Sequence, residues 1–133
     1  MMNKPEISLQ VPAERSYALV LRTTLGGVAI LKDLDAGALD DLRSASDEAC
    51  DCLLHQPRKA AQLTLNVYDG GDCLTVSIAA EFEGECSEAC ENETDISRAV
   101  LETLIPVVSL ETDACGCVSR IDLTLRKAVA VGA

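Results

Sequence analysis

Residues 47–56, DEACDCLLHQ, gather two thiols, three carboxylates and the chain's single histidine. Three chemistries fit that inventory: metal ligation, a thiol nucleophile with its base, and general base catalysis by Glu48. Spacing on a helix separates them. Glu48 and Cys52 lie four residues apart and share a face. Cys50 and Cys52 diverge by about 200°, so one ion is out of their joint reach. Cys50 is expected to point inward and Cys52 outward. Cys52 and His55, at i and i+3, make a possible nucleophile pair, but nothing nearby supplies an oxyanion hole or an orienting acid. Elsewhere the thiols recur as Cys73, Cys86-xxx-Cys90 and Cys115-x-Cys117. Only Cys86 and Cys90 have conventional zinc spacing. Packing as small apolar side chains asks least of these cysteines.

The elements that would position these groups are legible in the pattern. EISLQVPA alternates Ile7, Leu9 and Val11 with polar residues, a half-buried strand ended by Pro12. From about Glu14 to Lys32 the spacing turns helical, with Tyr17, Leu21, Leu25 and Val28 on one stripe and Gly26-Gly27 weakening it. Asp35 is a candidate N-cap for a second helix running to about Leu54, its buried face Leu39, Leu42, Ala49 and Leu53. Leu63, Leu65 and Val67, then Asp69-Gly70-Gly71-Asp72, then Leu74, Val76 and Ile78 spell a hairpin. The DGGD run lies between two strands, so a turn is expected there and not a phosphate loop. Residues 81–95 carry seven carboxylates in fifteen positions and read as a solvated loop. ISRAVLETLI is a third helix. Val108 and Leu110, then Ile121, Leu123 and Leu125, form a second hairpin. The order β-α-α-β-β-α-β-β predicts one α/β (α+β) domain over residues 1–133: a mostly antiparallel sheet covered on one face by about three helices.

The bulk numbers limit the function. The 133 residues suit one domain with a core, and 48% are hydrophobic. A formal charge of −11 and three aromatics (Tyr17, Tyr68, Phe82) argue against nucleic acid and against an anionic membrane. The acidic surface favours a protein partner. No apolar run approaches the ~18 residues of a span, and MMNKPEISLQVP has no signal-peptide core, so a cytoplasmic protein is expected. Its seven cysteines are then expected to be reduced thiols.

In this order and at these distances, the pieces resemble the GHKL ATPases of the Bergerat, or histidine-kinase-ATPase-like, fold. Among these they look most like the small serine-kinase anti-sigma factors of bacterial partner-switching systems. ISLQVPAERSYALVLRTTLGGVA looks like the opening strand and first helix, and LDDLRSASDEACDCLLH like the second helix with its Glu-x-x-x-Asn box. LTVSIAAEFEG looks like the strand leading to the Asp-x-Gly-x-Gly box, and the stretch from Ile96 to Lys127 like the last helix and strands. The resemblance implies Mg²⁺ and ATP, a serine/threonine kinase reaction with Glu48 as catalytic base, and a sigma factor or an anti-sigma antagonist domain as partner. It also implies a homodimer.

Residue by residue, the boxes depart from that pattern. Cys52 stands where the Mg²⁺-binding Asn belongs, and a thiol is a poor ligand for a hard cation. Ala80 stands at the adenine-reading Asp and Phe82 at the first Gly; only Gly84 survives. Strand alternation would point Glu81 away from the pocket. The phosphate-cradling Gly-x-Gly maps onto Asp95 and Ser97, and the acidic loop of residues 81–95 takes the place of the ATP lid. Each like-charge contact with a triphosphate costs on the order of a few kcal/mol, against about 8 kcal/mol for micromolar affinity. The expectation is therefore a regulatory pseudokinase with no cofactor and no resident metal, acting by protein–protein contact. The alternatives are a working kinase with Mg²⁺ held by Asp47 or Asp51, and a thiol or metal sensor.

Overall fold

The computed structural model describes residues 4–84 and 94–127. In chain order these form β1 (Ile7–Pro12), a 3-10 turn (Arg15–Tyr17), α1 (Ala18–Leu31), α2 (Ala36–Leu54), β2 (Ala60–Asp69), β3 (Cys73–Phe82), α3 (Asp95–Leu104), β4 (Val107–Thr112) and β5 (Val118–Arg126). The expected order of strands and helices is the observed one. The first helix is split: a 3-10 turn carries Tyr17, and α1 proper starts one residue later. Glu81 and Phe82 belong to β3 and not to a loop. Of the acidic stretch, residues 85–93 lie outside the described residues.

All pairings in the sheet are antiparallel, in the order β1-β2-β3-β5-β4. The register aligns the apolar positions into rows. Leu9, Leu65, Ile78, Ile121 and Leu110 make one; Ile7, Val67, Val76, Leu123 and Val108 make another. These side chains face the helices, because residues two apart share a sheet face. The opposite face carries the row Ser8, Asn66, Ser77, Asp122 and Ser109. One apolar and one polar face is the mark of a two-layer sandwich.

Helix α2 sits between α1 and α3 and lies on the sheet. Its N-terminus is capped as expected, the Asp35 carboxylate accepting from the Ala38 N–H at 2.7 Å. Leu42, Ala45, Ala49 and Leu53, at steps of three and four, are fully buried; Leu39 is half-buried. Helix α1 buries Leu21, Leu25, Val28 and Ala29. It ends in a Schellman motif: Leu34 N–H bonds to the Ala29 carbonyl at 2.9 Å and Asp33 N–H to the Ile30 carbonyl at 3.2 Å. Asp33 takes the left-handed position, with φ 57°. That sharp reversal lets α2 pack straight back on α1. Among the described residues, no helix is long and apolar enough to cross a membrane.

Candidate functional site

Of the residues singled out in the sequence, Glu48 and Cys52 lie on α2, Asp95 and Ser97 on α3, and Ala80 near the end of β3; α2 packs against α3 and touches β3. Cys52 was expected to face outward. It is only 9% exposed, because α2 has neighbours on both flanks and its α3 side is covered too. Burial pushes its thiol up from the ordinary value; a hydrogen bond with Ser97 opposes this, and the Glu48 charge adds to it. Ser97 is on α3 at a position mapped to the phosphate-cradling glycines. Glu48 lies half-buried one turn before Cys52. Cys50 faces inward as expected, at 0% exposure, and burial pushes its thiol up to about 12, with Asp47 and Asp51 adding and Ser46 opposing.

The remaining box positions are equally specific. Ala80 continues the row Val11–Leu63 on the helix-facing side of the sheet and is buried. Glu81 points the other way and is exposed, as alternation requires. Asp95 opens α3 and is exposed, with its carboxylate in the first turn of the helix. That is where a helix dipole favours negative charge, and where a phosphate would otherwise sit. Gly84 adopts φ 68°, and its carbonyl accepts from Arg58 Nη2 at 2.9 Å. The surviving glycine thus serves a left-handed turn that an L side chain would strain.

The other candidates fall apart in space. His55 is exposed, and its Nδ1 lies 3.0 Å from the Asp51 carbonyl. It lines a cleft of about 290 Å³ with Ala13, Arg15, Leu54, Lys59 and Ala60. Cys52 is not in that cleft lining. Asp47 and Asp51 lie on the α1 side of α2, 3.4 Å from Arg22 and 3.5 Å from Arg15 respectively. Among the described residues, no three His, Cys, Asp or Glu side chains gather as metal ligands; Cys86 and Cys90 lie outside them.

Two features were not visible in the sequence. One is a node around Arg58. Its Nη1 lies 2.7 Å from Asp113 of the β4–β5 turn, its Nη2 reaches Gly84, and its guanidinium stacks 4.8 Å from the Phe82 ring centre. Asp113 is 55 residues away along the chain, so no local spacing could pair them. The second corrects the expectation of seven reduced thiols. Cys50, Cys52 and Cys73 are free, but Cys115 and Cys117 are disulfide-bonded. An odd cysteine count excludes complete pairing and leaves partial pairing open.

One surface stands out. Leu19, Val20, Ile30 and Leu31 of α1 are exposed, at 57%, 39%, 71% and 69%. Thr23 and Gly27 continue this face, and neither carries charge. An α-helix apolar on both sides is normally covered on both sides.

Comparison with curated proteins finds the anti-sigma-F factor RsbW of Mycobacterium tuberculosis, in strains CDC 1551 / Oshkosh and ATCC 25618 / H37Rv. Each is 31% identical over 132 residues, an alignment that covers 92% of this chain and 74% of the relative. No family model matches the chain.

Proposed function

This chain belongs to the family of RsbW-type anti-sigma factors, and from that premise we propose that it restrains a sigma factor by direct contact without binding Mg·ATP. The observation that carries the second half is the burial of Cys52, only 9% exposed on an α2 that packs against α3, the helix of Ser97. In the resemblance, both positions belong to the nucleotide: one to its metal, the other to its phosphates. Here the Cys52 thiol is buried and α2 is packed against α3. A buried thiol offers no oxygen to Mg²⁺, and Ala80 has no acceptor for an adenine amino group. The Asp95 carboxylate would repel phosphate at the start of α3. The residues present do not fit the metal–nucleotide pair, and no phosphoryl-transfer step is assigned to Glu48.

What supports a protein partner is the α1 face. Leu19, Val20, Ile30 and Leu31 give an apolar stripe free of carboxylates on a chain of charge −11. Its rim carries both signs, with Arg22, Arg43, Asp40 and Asp47 lining one groove. We place the sigma-factor contact on this stripe. Homodimerisation would compete for the same face and is read by sedimentation equilibrium of the chain alone.

Two titrations test the proposal. Calorimetry with millimolar ATP and Mg²⁺ is expected to show no binding heat; submillimolar affinity would restore the kinase reading. Titration with the sigma factors of the source cell is expected to find one that binds without nucleotide. Binding of none, with or without ATP, would remove the anti-sigma role.

A further inference from the structure

The cleft of about 290 Å³ lined by Ala13, Arg15, Leu54, His55, Lys59 and Ala60 runs against the charge of the chain. The sequence has 22 carboxylates to 11 Lys and Arg. Yet this lining holds two of those cations, the single histidine and no carboxylate. The groove beside α1 differs, since Arg22 and Arg43 share its lining with Asp40 and Asp47 and the charges cancel. None of Glu48, Cys52, Ala80, Asp95 and Ser97 lines the cleft, so it is separate from the lost nucleotide boxes.

Its three polar side chains hang from backbone that is already fixed. Ala13 N–H bonds to the Ala61 carbonyl at 3.3 Å, and Tyr17 N–H to the Glu14 carbonyl at 2.9 Å, which closes the 3-10 turn around Arg15. The Lys59 carbonyl accepts from Glu83 N–H at 2.8 Å. His55 is held twice, its backbone N–H and its Nδ1 both 3.0 Å from the Asp51 carbonyl. Carbonyls at the end of a helix repel an anion. Two of those at the end of α2 are engaged: Asp51's by His55, and Leu53's by Gln56 Nε2 at 3.2 Å. Gln56 is anchored in turn to Val118, donating to its carbonyl at 2.8 Å and accepting from its N–H at 2.6 Å.

The two cations are loosely paired. Arg15 lies 3.5 Å from Asp51 and Lys59 4.0 Å from Glu83, all with largely exposed side chains. Lys32 meets Glu6, and Arg58 meets Asp113, at 2.7 Å. Long, exposed pairs hold little free energy, so an incoming anion displaces them readily.

We propose that this cleft binds a small phosphomonoester. Such an ester is close to a dianion at neutral pH and offers three acceptor oxygens. Arg15 meets it with a planar fork and Lys59 with a point charge, while the His55 ring adds a polar edge. A carboxylate, with one charge, would leave one cation idle. Ala13, Leu54 and Ala60 give the organic part an apolar floor. The volume is at the small end of ligand sites, about 300–1,000 Å³, which suits a phosphate with one ring or a short chain.

Phenyl phosphate is the probe, titrated into the isotope-labelled full chain and followed by amide chemical shifts. Ala13, Arg15, Leu54, His55, Lys59 and Ala60 should shift together and saturate in the millimolar range or tighter. Arg15→Gln and Lys59→Gln should each weaken binding about tenfold or more, and added salt should weaken it as well. Arg126→Gln, at the opposite end of the sheet, should leave it unchanged. All three positions are exposed, so circular dichroism of each variant should match wild type. Benzoate should bind about tenfold more weakly or not at all. Inorganic phosphate should bind more weakly than phenyl phosphate, because it leaves the apolar floor uncovered. Absence of a saturable shift at these six residues overturns the proposal. So does an equal loss in Arg126→Gln, or equal affinity for benzoate or for inorganic phosphate. A phosphoserine peptide that binds about tenfold more tightly than phenyl phosphate would overturn the small ester in favour of a phosphorylated protein.

Discussion

Cys52 of α2 is buried on the side of α2 that packs against α3, where the Ser97 side chain opposes the burial that raises its thiol. The family resemblance assigns a metal ligand and a phosphate cradle to those two positions. Cys52→Asn would restore the amide four residues after Glu48. It should not restore nucleotide binding, since Ala80 and Asp95 remain. It should lower stability by about 1–3 kcal/mol, because a larger polar group enters a nearly closed site without assured partners. Urea unfolding and calorimetry with Mg·ATP check both halves.

Ile30→Lys places a charge in the middle of the exposed α1 face, at 71% exposure and in the last turn of the helix. A cation suits that end of a helix dipole. Folding stability should therefore stay within about 0.5 kcal/mol of wild type. If the stripe is the sigma contact, affinity should drop at least tenfold, or about 1.4 kcal/mol. Unchanged affinity would move the contact elsewhere.

Asp69 at the end of β2 is clamped by Lys127 and by Lys32, the latter at 2.8 Å; Lys32 also meets Glu6 at 2.7 Å. The Lys127 and Lys32 hydrogen bonds, with the Gly71 N–H, hold the Asp69 carboxyl well below its ordinary 3.8. Its stabilising contribution is present above that ordinary value and is lost as pH falls from there toward the folded value. Lys32, raised above 10.5 by Asp69 and Glu6, has the opposite sign. Its contribution is full below 10.5 and is lost as pH rises through the higher folded value. Asp69→Asn should be less stable than wild type at pH 7 and should lose less stability between pH 4 and pH 2. Urea midpoints across that range measure it.

Gly27 has nothing within 4 Å of where a Cβ would stand. Gly27→Ala should stabilise the chain by about 0.5–1 kcal/mol through helix propensity alone. Asp33→Gly, at the left-handed end of α1, should stabilise by a similar amount, about 0.5–1 kcal/mol, by relieving the Cβ strain. Thermal melts of the two variants and their double test this, and the effects should add, since one acts in the helix and the other past its end. An apolar stripe that keeps a helix-weakening glycine is consistent with a close approach by the partner's backbone. Gly27→Ala should then weaken sigma binding even as it raises the melting temperature.

The sequence by itself determined the elements, their order and which faces are apolar. Those follow from periods of 2 and 3.6 residues, and Asp35, the DGGD turn and the strand alternation that turns Glu81 outward are all local. The elements that carry Cys52, Ala80 and Asp95 were legible for the same reason: each residue is a single position on an element of known phase. Tertiary structure alone decided the rest. Cys52 is buried and not outward because α2 is flanked on both sides, and a helix's phase says which residues share a face but not how many faces are covered. Arg58 with Asp113, Gln56 with Val118, and the bonded state of Cys115 and Cys117 depend on closing loops of more than fifty residues or on sulfurs meeting in space. Such contacts are fixed by packing and leave no periodic trace in the chain.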